Sequence, residues 1–272
     1  MKKRLLSLAL VTLLLIGAAG CRTAGKTQES AAPVSNSPQD IAPPPVDAGV
    51  EETTALAAYT RVADKLTISG EAGEDVQFDM DMIMKINIES DGESESLEVN
   101  GNIKVKIDGE ETHSSIVMDM GVMGRMEMYS DGERVYCSMN GQEMEIETGN
   151  VMEQIQGSLN LPQFEEDAIK SCEITEDGEN TKMLIVIDGE TLTSFVAESM
   201  SAMLGEVADS QGMEIYDIEI TLVTTKDEIP LSMEMKMEMD MTVMENTMKM
   251  VTEITYIFNK VGSGVEVDLS KL

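Results

Sequence analysis

Between residues 233 and 241 methionine occupies every second position: Met233, Met235, Met237, Met239 and Met241. Thioethers are soft ligands suited to Cu(I), so this array is the first place to look for chemistry. Its spacing argues against a metal. Same-face residues on one strand stand about 6.6–6.8 Å apart, whereas two sulfurs sharing an ion at about 2.3 Å each lie within about 4.6 Å of one another. The only histidine, His113, sits among Thr112, Ser114 and Ser115 and reads as a surface residue at a strand end. No metal and no cofactor are expected. Methionine is unbranched and adaptable, so a buried strand face rich in it makes a core that accommodates ligands of variable shape.

Catalytic constellations are hard to find. The 51 Asp and Glu residues could supply a carboxylate pair for glycoside hydrolysis. The chain has no Trp, however, and a sugar platform normally uses broad aromatic faces. Most of the acids alternate with apolar residues, as the wet face of strands would. The ligand spacing of a calcium-binding loop is missing, as are the G-x-S-x-G, S-x-x-K, H-E-x-x-H, G-x-G-x-x-G and P-loop patterns. These features imply a protein that is not an enzyme.

The one residue whose chemistry the sequence assigns is Cys21. Lys2, Lys3 and Arg4 precede an apolar run from Leu5 to Ile16, and Gly17, Ala18, Ala19 and Gly20 lead into the cysteine. The basic start, apolar stretch and small residues are those of a secretory signal. Ending on cysteine, the segment resembles the lipobox of bacterial lipoproteins, with Ala18 where Leu is usual. The resemblance implies a signal peptide over 1–20 and an acylated Cys21, carrying palmitate-type chains, as the new N-terminus. An ordinary secretory signal cut near Ala19 or Gly20 is the alternative. A spanning helix is disfavoured, because the apolar run falls short of the ~20 residues that a bilayer requires.

The formal charge is −32, and loss of the three basic residues of the signal takes it to about −35. Such a chain does not neutralise phosphates, which excludes a nucleic-acid partner, and it is repelled by anionic headgroups. Residues 21–52 hold the lipidated cysteine and a stretch rich in Ala, Pro and Ser without apolar periodicity, the composition of a disordered tether. The expected partner is thus the membrane, through an N-terminal lipid, with the folded part facing the extracytoplasmic side. Cys137 and Cys172 form either a disulfide, which that compartment permits, or two buried thiols.

The elements follow from periodicity. Leu56, Tyr59, Val62, Ala63 and Leu66 recur at helical spacing behind a cap at Thr53 or Thr54, with Gly70 and Gly73 ending the helix. Thereafter the period is two. Val76, Phe78, Met80, Met82, Met84, Ile86 and Ile88 alternate with mostly polar residues. So do Leu97 to Ile107, Ile116 to Val122, Val135 to Met139, Leu231 to Val243, and Met248 to Phe258. Alternation of this kind marks an antiparallel sheet with one dry face. Asp-Gly or Asn-Gly occurs at 91–92, 100–101, 108–109, 131–132, 140–141, 177–178 and 188–189, and these dipeptides suit tight hairpins. Further helices are expected at 150–156, 164–170 and 193–204, the last with an apolar stripe of Phe195, Val196, Met200, Met203 and Leu204.

This order of elements, behind a lipobox and a Pro-rich tether, resembles the LolA-like and LppX/LprG-like lipoproteins. Uncharacterised Met-rich surface lipoproteins of Gram-positive bacteria are similar too. The resemblance covers residues 53–272. It implies an α+β fold, in which a curved antiparallel half-barrel of long meandering strands carries helices on its concave face, in a single domain. It also implies an apolar cavity for a lipid or other hydrophobic ligand, for which Phe195, Val196, Met200, Met203, Met235, Met237 and Met239 are the candidate lining. The alternative is a closed core in a non-catalytic structural or interaction lipoprotein of the envelope. Replacing Cys21 with Ser is expected to release the protein from the membrane fraction of the cell; retention at the wild-type level would remove the lipobox reading.

Overall fold

The structure, a computed structural model, describes residues 49–66, 75–90, 92–109, 111–143, 168–193, 213–243 and 246–272. Among the described residues one helix, α1 (Gly49–Leu66), precedes twelve strands. These are β1 (Asp75–Ser90), β2 (Glu93–Asp108), β3 (Glu111–Asp119), β4 (Arg125–Ser130), β5 (Val135–Met139), β6 (Gln142–Glu143), β7 (Ile169–Asp177), β8 (Asn180–Ile187), β9 (Met213–Ile215), β10 (Ile218–Thr225), β11 (Pro230–Val243) and β12 (Asn246–Val261). All belong to one antiparallel sheet in the order β6-β5-β4-β3-β2-β1-β12-β11-β10-β8-β7, with β9 paired to β11.

The alternation expected from the sequence sets the two faces. On β1 the even residues from Val76 to Ile86 are buried, and register carries their side across the sheet. Met84 lies opposite Ile254, which pairs with Met235, then Ile220, Ile185 and Cys172. This row crosses six strands without a charged residue. We call this side the inner face. The other side of β1 shows Asp79, Asp81, Lys85 and Glu89.

Curvature has visible causes. The register slips between β1 and β12 at Asp79/Met80, between β10 and β11 at Val223/Thr224, and between β7 and β8 at Ile169/Ser171. Each extra residue bends its strand and increases local twist. Helix α1 touches both β1 and the edge strand β7, and it buries Ala58, Tyr59, Val62, Ala63 and Leu66 in the common core. Its C-terminal end is clamped as well: Arg61 pairs with Glu228, and Lys65 donates to the Asp227 and Glu228 carbonyls in the β10–β11 turn.

Several expectations are corrected. The helix starts at Gly49, which places Thr53 and Thr54 inside it rather than at its cap; an opening turn with Val50 as its only apolar residue gives periodicity nothing to detect. Asn100-Gly101 makes no turn. Gly101 lies within β2 between Met82 and Met118, and a Cβ there would stand 3.4 Å from the Met82 Cε, so the missing side chain makes room for methionine tips. Asp188-Gly189 opens a helical turn instead of a hairpin. Val122 is 98% exposed, because Gly121 and Gly124 take positive φ and fold 121–123 into a 3-10 turn beyond β3. The helix expected at 164–170 fails at its end, since Ile169 and Lys170 belong to β7, whose bulge hides the two-residue period. The helices expected at 150–156 and, beyond Thr193, at 193–204 lie outside the described residues, as do Gly70 and Gly73. The hairpins at Gly92, Gly109, Gly132, Gly141 and Gly178 stand where the dipeptides place them, each with positive φ.

After β12 the chain crosses the outer face. The Val265 amide donates to the Gln77 side chain at 3.4 Å, and Val265 is buried. Farther on, Lys271 pairs with Glu127 and lies 5.2 Å from the Tyr129 ring centroid, while Arg134 donates to the Leu272 carbonyl. The fold rests on the inner face. Ile220, fully buried at the middle of the long row, tests it: Ile220→Ala is expected to cost about 2–5 kcal/mol, read from the midpoint of a urea melt.

Candidate functional site: the inner face and an adjoining charged groove

Methionine dominates the middle of the inner face. Met80, Met82 and Met84 on β1, Met233, Met237 and Met239 on β11, and Met248 and Met250 on β12 are all buried. Met235 is half-buried and packs against the same core. Of the candidate lining residues, the structure therefore brings Met235, Met237 and Met239 onto one face. Phe195, Val196, Met200 and Met203 lie outside the described residues, as does Cys21. Cross-strand pairing sets Met239 opposite Met250 and Met233 opposite Tyr256. Desolvation by apolar neighbours pushes the Tyr256 phenol up to about 12.

Cys137 and Cys172 are buried and are not joined in a disulfide. They lie on β5 and β7, near opposite ends of the strand order. Burial pushes the Cys137 thiol above its ordinary pKa, which disfavours the reactive thiolate.

A second feature lies on the outer side, where the β9–β10 kink meets the helical turn that follows β8. A groove of about 600 Å³ is lined there by Lys170, Asp188, Glu214, Tyr216, Asp217 and Lys236, among others. Lys170 Nζ reaches Asp188 Oδ1 at 2.8 Å and Asp217 Oδ1 at 2.6 Å. Asp188 also caps the helical turn, accepting from the Thr191 amide and hydroxyl at 2.9 and 2.7 Å. These bonds, the lysine first, hold the Asp188 carboxyl down at about 2. The same two carboxylates raise the pKa of Lys170. Backbone approach is close: a Cβ on Gly189 would fall 2.2 Å from the Ile215 carbonyl oxygen, so only glycine lets the turn dock against β9. The arrangement is a knot of ion pairs fastening that turn to the sheet. Periodicity could not reveal it, although Asp188 and Thr191 carry the spacing of a helix cap.

Among the described residues, no group of three or more His, Cys, Asp or Glu side chains is placed to hold a metal ion, and no helix is long and apolar enough to cross a membrane. The methionine-faced sheet and the last turn of α1, from Val62 on, fall within residues 62–268, which match the model of a family of unknown function, DUF6612. The chain belongs to DUF6612. No curated protein matches it. Among solved structures this DUF6612 chain is similar to the lipoprotein LppX of Mycobacterium tuberculosis, at 11% identity over 80% of this chain and 100% of that one, with a TM-score of 0.38. A DUF1329 family protein from Desulfovibrio piger is similar at 10% identity over 80% and 95% of the two chains, with a TM-score of 0.26. A putative outer membrane lipoprotein-sorting protein domain from Vibrio parahaemolyticus follows at 7% identity over 79% and 95%, with a TM-score of 0.24.

The knot around Lys170 gives a dependence on pH. A carboxyl held below its ordinary value of 3.8 contributes stability that is complete above that value and is lost as pH falls through the folded one, here about 2. Acid melts of the wild type should therefore lose stability between those limits, and Lys170→Met should remove part of that loss. Parallel acid profiles for the two proteins would count against the ion-pair knot.

Proposed function

We propose that this protein is a lipid-anchored envelope lipoprotein that binds a hydrophobic ligand, such as an acyl chain, against the inner face of its sheet. The observation that supports the reading is the bed of methionines at the centre of that face. Leucine or isoleucine would fill a permanently closed core at least as well and with fewer rotamers, whereas methionine repacks around shapes that vary. Met235, Met237 and Met239 would form part of the contact surface. The helix at 193–204, with Phe195, Val196, Met200 and Met203, would cover it from the concave side. In this reading residues 49–272 fold as one domain behind a tether that begins at the acylated Cys21 on the extracytoplasmic side of the cell membrane. Nothing in the reading requires catalysis or a cofactor.

A closed core, with a structural or interaction role in the envelope, is the competing reading. It is favoured by the near-complete burial of Met183, Met233 and Met239, at 1, 1 and 2% exposure. The two differ in whether the interior admits a guest. Native mass spectrometry of the full-length chain is expected to show a hydrophobic molecule bound at defined stoichiometry, either co-purified or taken up when lipids are offered. A mass that stays apo under both conditions would leave the closed core.

A further inference from the structure

The inner face has one residue out of character at its centre. Thr252 on β12 is 3% exposed, and its hydroxyl has no hydrogen-bond partner among the described residues. Pairing places it between Ile86 on β1 and Met237 on β11. Along its own strand the same face continues with Met250 and Ile254. These neighbours offer carbon and thioether sulfur, which is at best a weak acceptor. A buried hydroxyl without a partner is costly, and valine would fill the same space without that cost. Thr224 on β10 shares the inner face and also lacks a partner, but it lies at the end of its strand, beside the β10–β11 turn. Thr252 stands in the middle of the methionine bed.

We propose that the Thr252 hydroxyl is a specificity-determining contact for the ligand, hydrogen-bonding an oxygen carried part-way along an otherwise apolar chain. The inference rests on the carriage reading above and narrows it, from hydrophobic molecules in general to oxygenated acyl chains bearing a hydroxyl or a carbonyl within the hydrocarbon. A hydroxyl serves either partner, since it both donates and accepts. Methionine tips such as those of Met237 and Met250 would move aside for the hydrocarbon, which the flexibility of their side chains allows. A plain acyl chain would find the same apolar bed but would leave the threonine oxygen unpaired. Preference therefore arises at one atom, in surroundings that otherwise select only for hydrophobicity.

The test compares stearate with a set of hydroxystearates whose hydroxyl stands at successive positions along the chain. Each displaces a fluorescent acyl probe from the full-length wild type and from Thr252→Val and Thr252→Ser variants. At least one hydroxystearate is expected to bind the wild type about fivefold more tightly than stearate, the worth of one neutral hydrogen bond. Thr252→Val should erase that preference while keeping the affinity for stearate, and Thr252→Ser, which retains the hydroxyl, should preserve it. Valine and threonine have the same shape and both favour strands, and thermal melts of both variants at or above the wild-type midpoint would show that folding is intact. Equal binding of stearate and every hydroxystearate by the wild type, or a preference that survives Thr252→Val, would overturn the role of Thr252 and leave carriage standing. Failure of stearate and all hydroxystearates to bind any of the three proteins would remove the carriage reading itself, and this inference with it.

Discussion

A two-residue period sustained over strands of up to 16 residues commits the chain to a sheet with one dry face, and that face determines what else the molecule must contain. Each large apolar side chain removed from water contributes about 1.5–3 kcal/mol, a gain that exists only while something covers the sheet. Helix α1 supplies part of that cover, packing against β1 and β7. Within that constraint the choice of methionine sets the character of the interior. Isoleucine dominates β8 and β10, where Ile185, Ile187, Ile218 and Ile220 are buried, while methionine dominates β1, β11 and β12. The stiff residues thus lie toward the β7 end and the adaptable ones in the middle.

The outer face obeys different physics. Its ion pairs are mostly exposed, and such pairs are individually worth little. Their arrangement matters more than their number, because they fasten the sheet to its turns, its helix and its last residues. Lys170 ties the turn after β8 to the kink at Asp217, Arg61 and Lys65 fix α1 to the β10–β11 turn, and Lys271 brings the last residues to Glu127 between the Tyr129 and Tyr136 rings. In a chain of charge −32 self-repulsion is a standing cost, and each of these lysines and arginines offsets it at a junction of the fold.

What could be read from sequence was whatever repeats. The alternation of Val76 to Ile88 and of Met233 to Met241 gave the strands and the buried face, and Asp-Gly dipeptides gave most of the hairpins. The misreadings occur where the period is interrupted. The bulge near Lys170 disguised an edge strand as the end of a helix, Gly101 imitated a turn while making space for methionine, and Gly121 and Gly124 carried Val122 out of its strand. The charged knot at Asp188 depends on contacts between residues far apart in the chain, such as Lys170 with Asp217, which no local pattern encodes. Thr252 stands at an inner-face position within the alternation, but its significance lies in the surroundings that register creates.

The central seam of the sheet joins β1 to β12, so residues near 80 pair with residues near 256. On either side lie two groups of strands, β1 to β6 and β7 to β12, in which hairpin pairs such as β1 with β2 and β11 with β12 close through short loops, while β8 and β10 are joined by a longer stretch between Ile187 and Ile218. The seam requires a much longer loop to close, and pairing of this kind is slow because the entropy of closure is lost before any contact repays it. While the chain is being made, the edge of β1 that pairs with β12 therefore stays open until β12 has followed. Until then the unfinished half-sheet has the open edge that makes folding intermediates prone to aggregate, which places the kinetic risk of this fold in the interval between formation of β1 and arrival of β12.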